Sequence, residues 1–274
     1  MTRRYAFLGP AGSFSEEALL ALGMPDLEPV PCATIDDVVV AVANGWADSG
    51  IIPIENSVEG SVNATLDALA FDEADLTIRG ELVLDVRQAL IAAPGVAMKD
   101  ITVVTSHPQA TAQCRRWIAE HLPERPVLAS NSTSEAVLRA VAEPGIAAIG
   151  TVLSAELYGG HVLRKSIQDY TGNQTRFVII GRGVSPRTGH DKTTLALFIH
   201  HDQPGALLMI LSEFAYGGIN LTKIQSRPTK RQLGQYMFFV DLEGHLEDPQ
   251  VDLALKCLRL KLRQVKVLGS YAKG

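Results

Sequence analysis

Four short polar clusters in this 274-residue chain combine residue types able to hold an anion or hand over a proton. "GPAGSFSEEA" (9–18) follows a strand-like run and opens a helix, where free N–H groups attract negative charge. Its glycine spacing fits neither a P-loop nor a dinucleotide fingerprint, and by itself it reads first as a capped turn. "PIENSVEGSV" (53–62) gathers Glu55, Asn56, Ser57, Glu59 and Ser61 after another strand, either as a site or as a solvated loop. "TSHPQA" (105–110) joins strand to helix, with Ser106 or His107 able to cap. "NQTRF" (173–177) sets a threonine hydroxyl and a guanidinium beside the apolar run "FVIIG". Gly172 and Asn173 suit the turn into that strand. Thr175 and Arg176 must find partners or face a cleft. By type alone these clusters can attract an anion, and each reads equally as a capped turn or surface loop.

Other constellations point away from metal and covalent chemistry. The seven histidines include no HExxH or similar ligand spacing, and His200-His201 read as the solvated end of a strand. No GxSxG elbow occurs, and Cys114 falls mid-helix on an apolar face. Cys32, Cys114 and Cys257 are far apart and odd in number, which suits reduced thiols in a cytosol. The run "RLKLRQVK" reads as the charged face of a helix and its turn. Net charge is −5 with no basic run, so nucleic acid is not an expected partner. No apolar stretch approaches the roughly 20 residues of a membrane helix, and "YAFLG" begins too early to leave room for a signal peptide.

The elements that must position these clusters alternate. Strand-like runs at 5–9, 50–54, 101–105, 126–130, 146–150 and 177–181 are separated by helical segments, with two more strands within 76–93. Ser13-x-x-Glu16 and Ser132-x-x-Glu135 predict capping boxes, and Pro108 a first helical turn. Ala110, Cys114, Trp117 and Ile118 predict one buried helix face over 107–122. Short apolar strands between helices predict a mostly parallel, covered sheet. "GRGVSPRTGHDK" (181–192) is a linker by composition. Beyond it the order is strand (193–200), helix (205–218), paired strands (219–228 and 235–244), helix (249–262) and strand (264–271). That is the ferredoxin-like βαββαβ plan.

With these segments assembled, the chain resembles prephenate dehydratase over nearly its whole length. "FLGPAGSFSEEA", "PIENSVEGSV", "TSHPQATAQC" and "GNQTRF" look like that family's signature segments in the family's order. "GALLMILSEFAYGGINLTKIQSRP" and "VKVLGSY" look like its ACT-type regulatory domain. The resemblance implies an α/β catalytic region over 1–182, two-lobed like a periplasmic binding protein, then a linker over 183–192 and an ACT domain over 193–274. With no chorismate mutase segment before Tyr5, it implies the single-activity form. The implied reaction converts prephenate to phenylpyruvate, carbon dioxide and water without metal or organic cofactor, on the route to phenylalanine.

Residue by residue, the resemblance places Thr175 at the leaving hydroxyl, with Glu55, Asn56, Ser106 and Gln109 as the other catalytic residues. Arg176, Ser13 and Phe177 are the expected substrate-binding residues, Arg176 because its planar fork clamps carboxylates. Glu55 is a proton source if its surroundings keep it protonated. Phenylalanine is the implied effector, held between two regulatory domains by Gly205, Ala206, Leu207, Asn220, Leu221, Gln225 and Ser226. Gln225 departs from the family's usual Glu-Ser-Arg-Pro, which removes one acceptor-only charge. A cytoplasmic homodimer or homotetramer is expected. Two rivals remain: an arogenate dehydratase, and a non-catalytic solute-binding or amino-acid-sensing protein.

Overall fold

The apolar runs of the sequence become strands covered on both faces. A computed structural model of the chain describes residues 2–71, 75–200, 203–230 and 235–274. His201, expected at a solvated strand end, lies outside the described residues. The chain starts β1 (Arg3–Leu8), α1 (Phe14–Ala21), β2 (Leu27–Cys32), α2 (Ile35–Ala43), β3 (Ser49–Asn56), β4 (Gly60–Ser61), α3 (Asn63–Phe71) and β5 (Leu76–Asp85). It continues β6 (Ala89–Ala92), β7 (Val103–Ser106), α4 (Pro108–Gln113), α5 (Arg115–His121), β8 (Val127–Ala129), α6 (Thr133–Ala142), β9 (Ile146–Gly150) and α7 (Val152–Tyr158). Last come β10 (His161–Arg164), β11 (Gln174–Arg182), β12 (Asp191–Phe198), α8 (Ala206–Tyr216), β13 (Leu221–Pro228), β14 (Tyr236–Glu243), α9 (Pro249–Lys261) and β15 (Gln264–Ala272).

Two compact units divide the chain. The first comprises Met1–Val38, Ile51–Ser61 and Val83–Phe177, the second Val39–Gly50, Val62–Leu82 and Val178–Gly274. In the first unit β1 pairs parallel with β2, whose Pro29 and Pro31 suit a strand that ends a sheet. A separate sheet runs β10-β6-β9-β7-β8. Every residue of β6 and β9 is buried, as a strand covered on both faces requires. The sheet is mixed rather than mostly parallel, because β6 runs against β9 and β10. Its parallel pairs are β7 with β8 and β7 with β9, each reached through a helical crossover.

Both predicted N-caps form, with the acid at the third helical position reaching back to the residue before the cap rather than to the cap itself. Ser13 Oγ accepts from Glu16 N, while the Glu16 carboxylate reaches back to Gly12 N. Ser132 Oγ accepts from Glu135 N at 3.0 Å, and Glu135 accepts from Asn131 N at 2.9 Å. Two expectations about the clusters are corrected. The helix over 107–122 breaks at Cys114, and β11 begins at Gln174 rather than Phe177. Thr175 and Arg176 are therefore strand residues, with the turn confined to Gly172 (φ 84°) and Asn173.

In the second unit, β12, α8, β13, β14, α9 and β15 follow the ferredoxin-like plan, with strand order β13-β14-β12-β15 and antiparallel neighbours. Leu197, Ile210, Phe214, Val240, Leu255 and Leu258 form its core under the two helices. β5 lies beside β15 at Ile78 and Gly269, where a Cβ on the glycine would collide with the Ile78 carbonyl. Only glycine fits there. Residues 183–190 join β11 to β12 and are exposed except Ser185, whose hydroxyl donates to Arg79 O at 2.7 Å. Among the described residues, no helix is long and apolar enough to cross a membrane.

Candidate active site

The β3–β4 hairpin and the start of β11 carry the centre of the site, all within the first unit. Asn56 ends β3, and its Oδ1 accepts from Val58 N at 2.9 Å and Glu59 N at 3.0 Å. An asparagine that binds the backbone just beyond it is a turn builder, which explains the type at this position. Those two N–H donors also fix the amide's orientation, because backbone nitrogens can only donate. Asn56 Nδ2 must then be the donor to Thr175 Oγ1 at 2.9 Å, to Asn173 Oδ1 at 2.8 Å and to Gln174 O at 3.1 Å.

The fixed polarity propagates. With its oxygen occupied by Asn56, Asn173 turns Nδ2 outward and donates to Gln113 Oε1 at 3.0 Å. Gln113 in turn presents Nε2 to Glu59 Oε1 at 3.5 Å. Asn56, Thr175, Asn173 and Gln113 are all buried. Thr175 Oγ1 accepts from Asn56, so its own hydrogen is left to donate, and no acceptor for it lies among the described residues.

Beside this chain, Arg176 Nη2 lies 3.3 Å from Glu55 Oε2. The arginine side chain is 11% exposed and the glutamate 39%, so the fork is held from the more open side. The other expected residues fall as follows. Ser106 is fully buried, and its hydroxyl donates to Ile149 O at 2.6 Å, tying β7 to β9. Ser13 Oγ donates to Leu8 O at 3.0 Å while capping α1. Phe177 is a core side chain of β11. Gln109 is exposed in the first turn of α4. The glutamine that enters the buried network is Gln113, one turn further on. Asn173 and Gln113 were both missed from sequence. Gln113 lies at i+3 from buried Ala110, and a polar residue there needs partners, which was the available signal.

Loop 9–13 is tied to α7: Thr151 Oγ1 donates to Gly12 O at 2.6 Å and Tyr158 Oη to Ala11 O at 2.7 Å. Burial, with the Glu16 charge adding, pushes the Tyr158 hydroxyl's pKa up. Burial, with the Asp169 charge adding, pushes the Cys114 thiol up to about 12, which keeps it protonated and poorly nucleophilic near neutrality. Among the described residues no group of three His, Cys, Asp or Glu side chains is placed to hold a metal ion. The arrangement offers a hydroxyl donor of fixed direction, a guanidinium and several amides, which together suit a polar, carboxylate-bearing molecule.

Residues 5–185 match the family model described as prephenate dehydratase. The chain belongs to the prephenate dehydratase family. Residues 194–256 match the ACT domain model. A curated prephenate dehydratase of Mycolicibacterium vanbaalenii is 41% identical over 98% of this chain and 91% of its own. The solved prephenate dehydratase of Arthrobacter aurescens, in complex with L-Phe, superposes with a TM-score of 0.90 at 40% identity, covering 98% of this chain and 90% of that one. A solved protein described as a quorum-quenching acylase also gives 0.90, at 31% identity over 99% of this chain and 98% of its own. The prephenate dehydratase scaffold thus recurs under a second described activity, and the polar network rather than the fold must separate the two.

The expected effector residues lie in the second unit, at separate places. Gly205 (φ 87°) caps α8, followed by buried Ala206 and half-exposed Leu207. Asn220 Nδ2 donates to Glu243 Oε2 at 3.1 Å, just before Leu221 opens β13. Gln225 and exposed Ser226 are further along β13, Gln225 about 13 Å from Leu221 at the usual strand rise. Gln225 Nε2 points to Asn63 Oδ1 at 3.5 Å, and Arg227 grips Asp67 through two bonds of 2.9 and 2.7 Å. β13 is the end strand of its sheet.

Proposed function

We propose that the protein is a prephenate dehydratase in which Thr175 donates to the departing hydroxyl of prephenate. Losing carbon dioxide and water together makes the ring aromatic, which supplies much of the driving force. The enzyme has to hold two carboxylates, help hydroxide leave as water and leave the departing carboxylate poorly solvated. The fixed polarity of the Asn56 amide carries this reading: it makes Thr175 Oγ1 an acceptor toward Asn56 and a donor toward substrate. Arg176 is the carboxylate clamp and Glu55 its partner rather than the source of the proton. Gln113 and Asn173 hold Asn56, and through it Thr175, in orientation. They cannot titrate.

The catalytic region spans 1–182, with a linker over 183–192 and the ACT domain over 193–274. L-phenylalanine is its inhibitor, as the L-Phe complex of the Arthrobacter relative suggests. The enzyme works in the cytoplasm as a homodimer or homotetramer, with no nucleic-acid or membrane partner. Acyl transfer, the activity described for the acylase neighbour, needs a nucleophile beside a base. Thr175 is paired instead with an amide that cannot take its proton. The test is phenylpyruvate formation from prephenate, with arogenate in parallel and with and without L-phenylalanine. Product from prephenate, suppressed by phenylalanine, is the expected result. Turnover of arogenate alone would transfer the reading to the aminated substrate.

A further inference from the structure

The break at Cys114 has a specific cause. In an unbroken helix, Arg116 N would donate to Ala112 O and Trp117 N to Gln113 O. Here Trp117 N donates to Asp169 Oδ1 at 3.1 Å and Arg116 N to Asp169 Oδ2 at 2.9 Å. The vacated carbonyl of Gln113 accepts from Asp169 N at 2.7 Å. Asp169 thus replaces the Trp117–Gln113 rung of the ladder with two bonds of its own. Insertion of a side chain into the i→i−4 ladder is a recognised origin of a sharp kink. Cys114 takes up the change at φ −116°, ψ 14°, and α5 resumes at Arg115.

The position of this wedge matters because of its neighbours on either side. Gln113 is the last residue of α4 and joins Asn173 and, through it, Asn56 and Thr175. Asp169 begins the short run into Asn173, Gln174 and Thr175. Upstream the run is anchored by Ile167 N donating to Gln88 O at 2.9 Å, and by Gln168 Oε1 accepting from Gln88 N at 3.1 Å. Arg116 also covers the Tyr170 ring, 5.8 Å from its centroid. One loop therefore sets both ends of the Gln113–Asn173 bond.

We propose that Asp169 is a positioning residue for the dehydration, holding the helix open at Cys114 so that the Gln113 amide meets Asn173 in the site. This rests on the dehydratase reading above. A carboxylate suits the task because it can accept two N–H bonds at once, and its charge faces the start of a helix. An asparagine side chain in its place would keep one acceptor oxygen, and an alanine none. Without the carboxylate, Arg116 N and Trp117 N lose their acceptors, while the backbone N–H of residue 169 still reaches Gln113 O. α4 then closes toward α5 with Trp117 N competing for that carbonyl, swinging the Gln113 side chain. Displacements of about 1 Å in a positioned group cost up to roughly 10²-fold in rate.

The test is a double-mutant cycle in the full chain, reading kcat and KM for prephenate together with Tm. Asp169→Ala should lower kcat about 10- to 100-fold and change KM far less. Asp169→Asn should fall between Asp169→Ala and wild type. In a Gln113→Ala background, Asp169→Ala should cost less than about twofold more, because its effect passes through the missing amide. A mere helix cap would lower Tm and leave the two losses multiplicative. Equal losses in both backgrounds, or Asp169→Asn with wild-type kcat, would overturn the proposal. Should Asp169→Ala fail to fold, Asp169→Asn carries the same cycle. Gln113→Ala with wild-type kcat would remove this proposal and leave the dehydratase reading standing. Wild type that forms no phenylpyruvate would remove both.

Discussion

From Asn56 to Gln113 the first unit joins neutral amides and a hydroxyl. The second unit instead buries complete ion pairs. Lys192 Nζ there sits 2.6 and 2.7 Å from the two oxygens of Glu81, with the side chains 10% and 1% exposed. Arg227 holds Asp67 with both side chains 14% exposed. The difference is one of information. An amide network has a direction, so one backbone-fixed asparagine decides how Asn173, Gln113 and Thr175 point. An ion pair has no such direction but binds strongly once water is gone, and removing one partner strands the other charge. The first arrangement suits a site that must aim a proton. The second suits the joining of elements far apart in sequence: β5 to β12, and α3 to β13.

If that contrast is right, damage to the two regions should read out differently. The largest effect is expected at Thr175. Thr175→Ala removes one transition-state donor, a loss worth about 10²–10³ in kcat. Asn56 Nδ2 keeps two other acceptors, Asn173 Oδ1 and Gln174 O, so no buried donor is orphaned and Tm should barely move. Thr175→Ser should keep most of the rate, since it retains the hydroxyl. A large fall in Tm with kcat preserved would reverse the assignment of this region.

Lys192→Met should behave in the opposite way. It leaves Glu81 buried with Gly274 N as a remaining donor at 3.1 Å. Stranding a buried charge costs about 3–5 kcal/mol, and the lower end is expected here because that donor stays. Thermal unfolding should report the loss, while kcat per folded molecule at 25 °C stays near wild type. A kcat loss larger than the stability loss would break the division of labour between the two regions.

The two regions also differed in how much the sequence disclosed. The ferredoxin-like order, the strand runs and the caps at Ser13 and Ser132 follow from local pattern, because periodicity and capping involve residues a few positions apart. The centre of the site was visible as segments but not as geometry. Thr175 shares the buried phase of Phe177, two residues on, and β-branched threonine fits a strand. Extending that alternation backward would have moved the start of β11. The break at Cys114 was illegible for a physical reason: its cause is Asp169, more than 50 positions away. Gln109 follows from the resemblance of "TSHPQ" alone, and Gln113, one turn further on, is the glutamine that meets Asn173. The Arg227–Asp67 pair spans 160 positions and has no local signature either.

The smallest test lies at the entrance to β11, where a surface charge touches the neutral network. Asp85 accepts from Gln174 Nε2 at 3.0 Å and from Arg87 Nη2 at 3.2 Å. These bonds, that from Gln174 foremost, hold its carboxyl below the ordinary carboxylate range. A folded-state value below the unfolded one means the folded chain binds fewer protons near that pH. The stabilisation is therefore complete above the unfolded value of about 3.9 and fades as pH falls through the folded one. Asp85→Asn should then melt slightly below wild type at pH 7, and the gap should close in mild acid below about pH 4. Salt should narrow the Arg87 part of the gap, because that pair is exposed. A gap that persists unchanged in acid would mean that Asp85 acts by packing at the strand end, and that the charged rim is independent of the amides behind it.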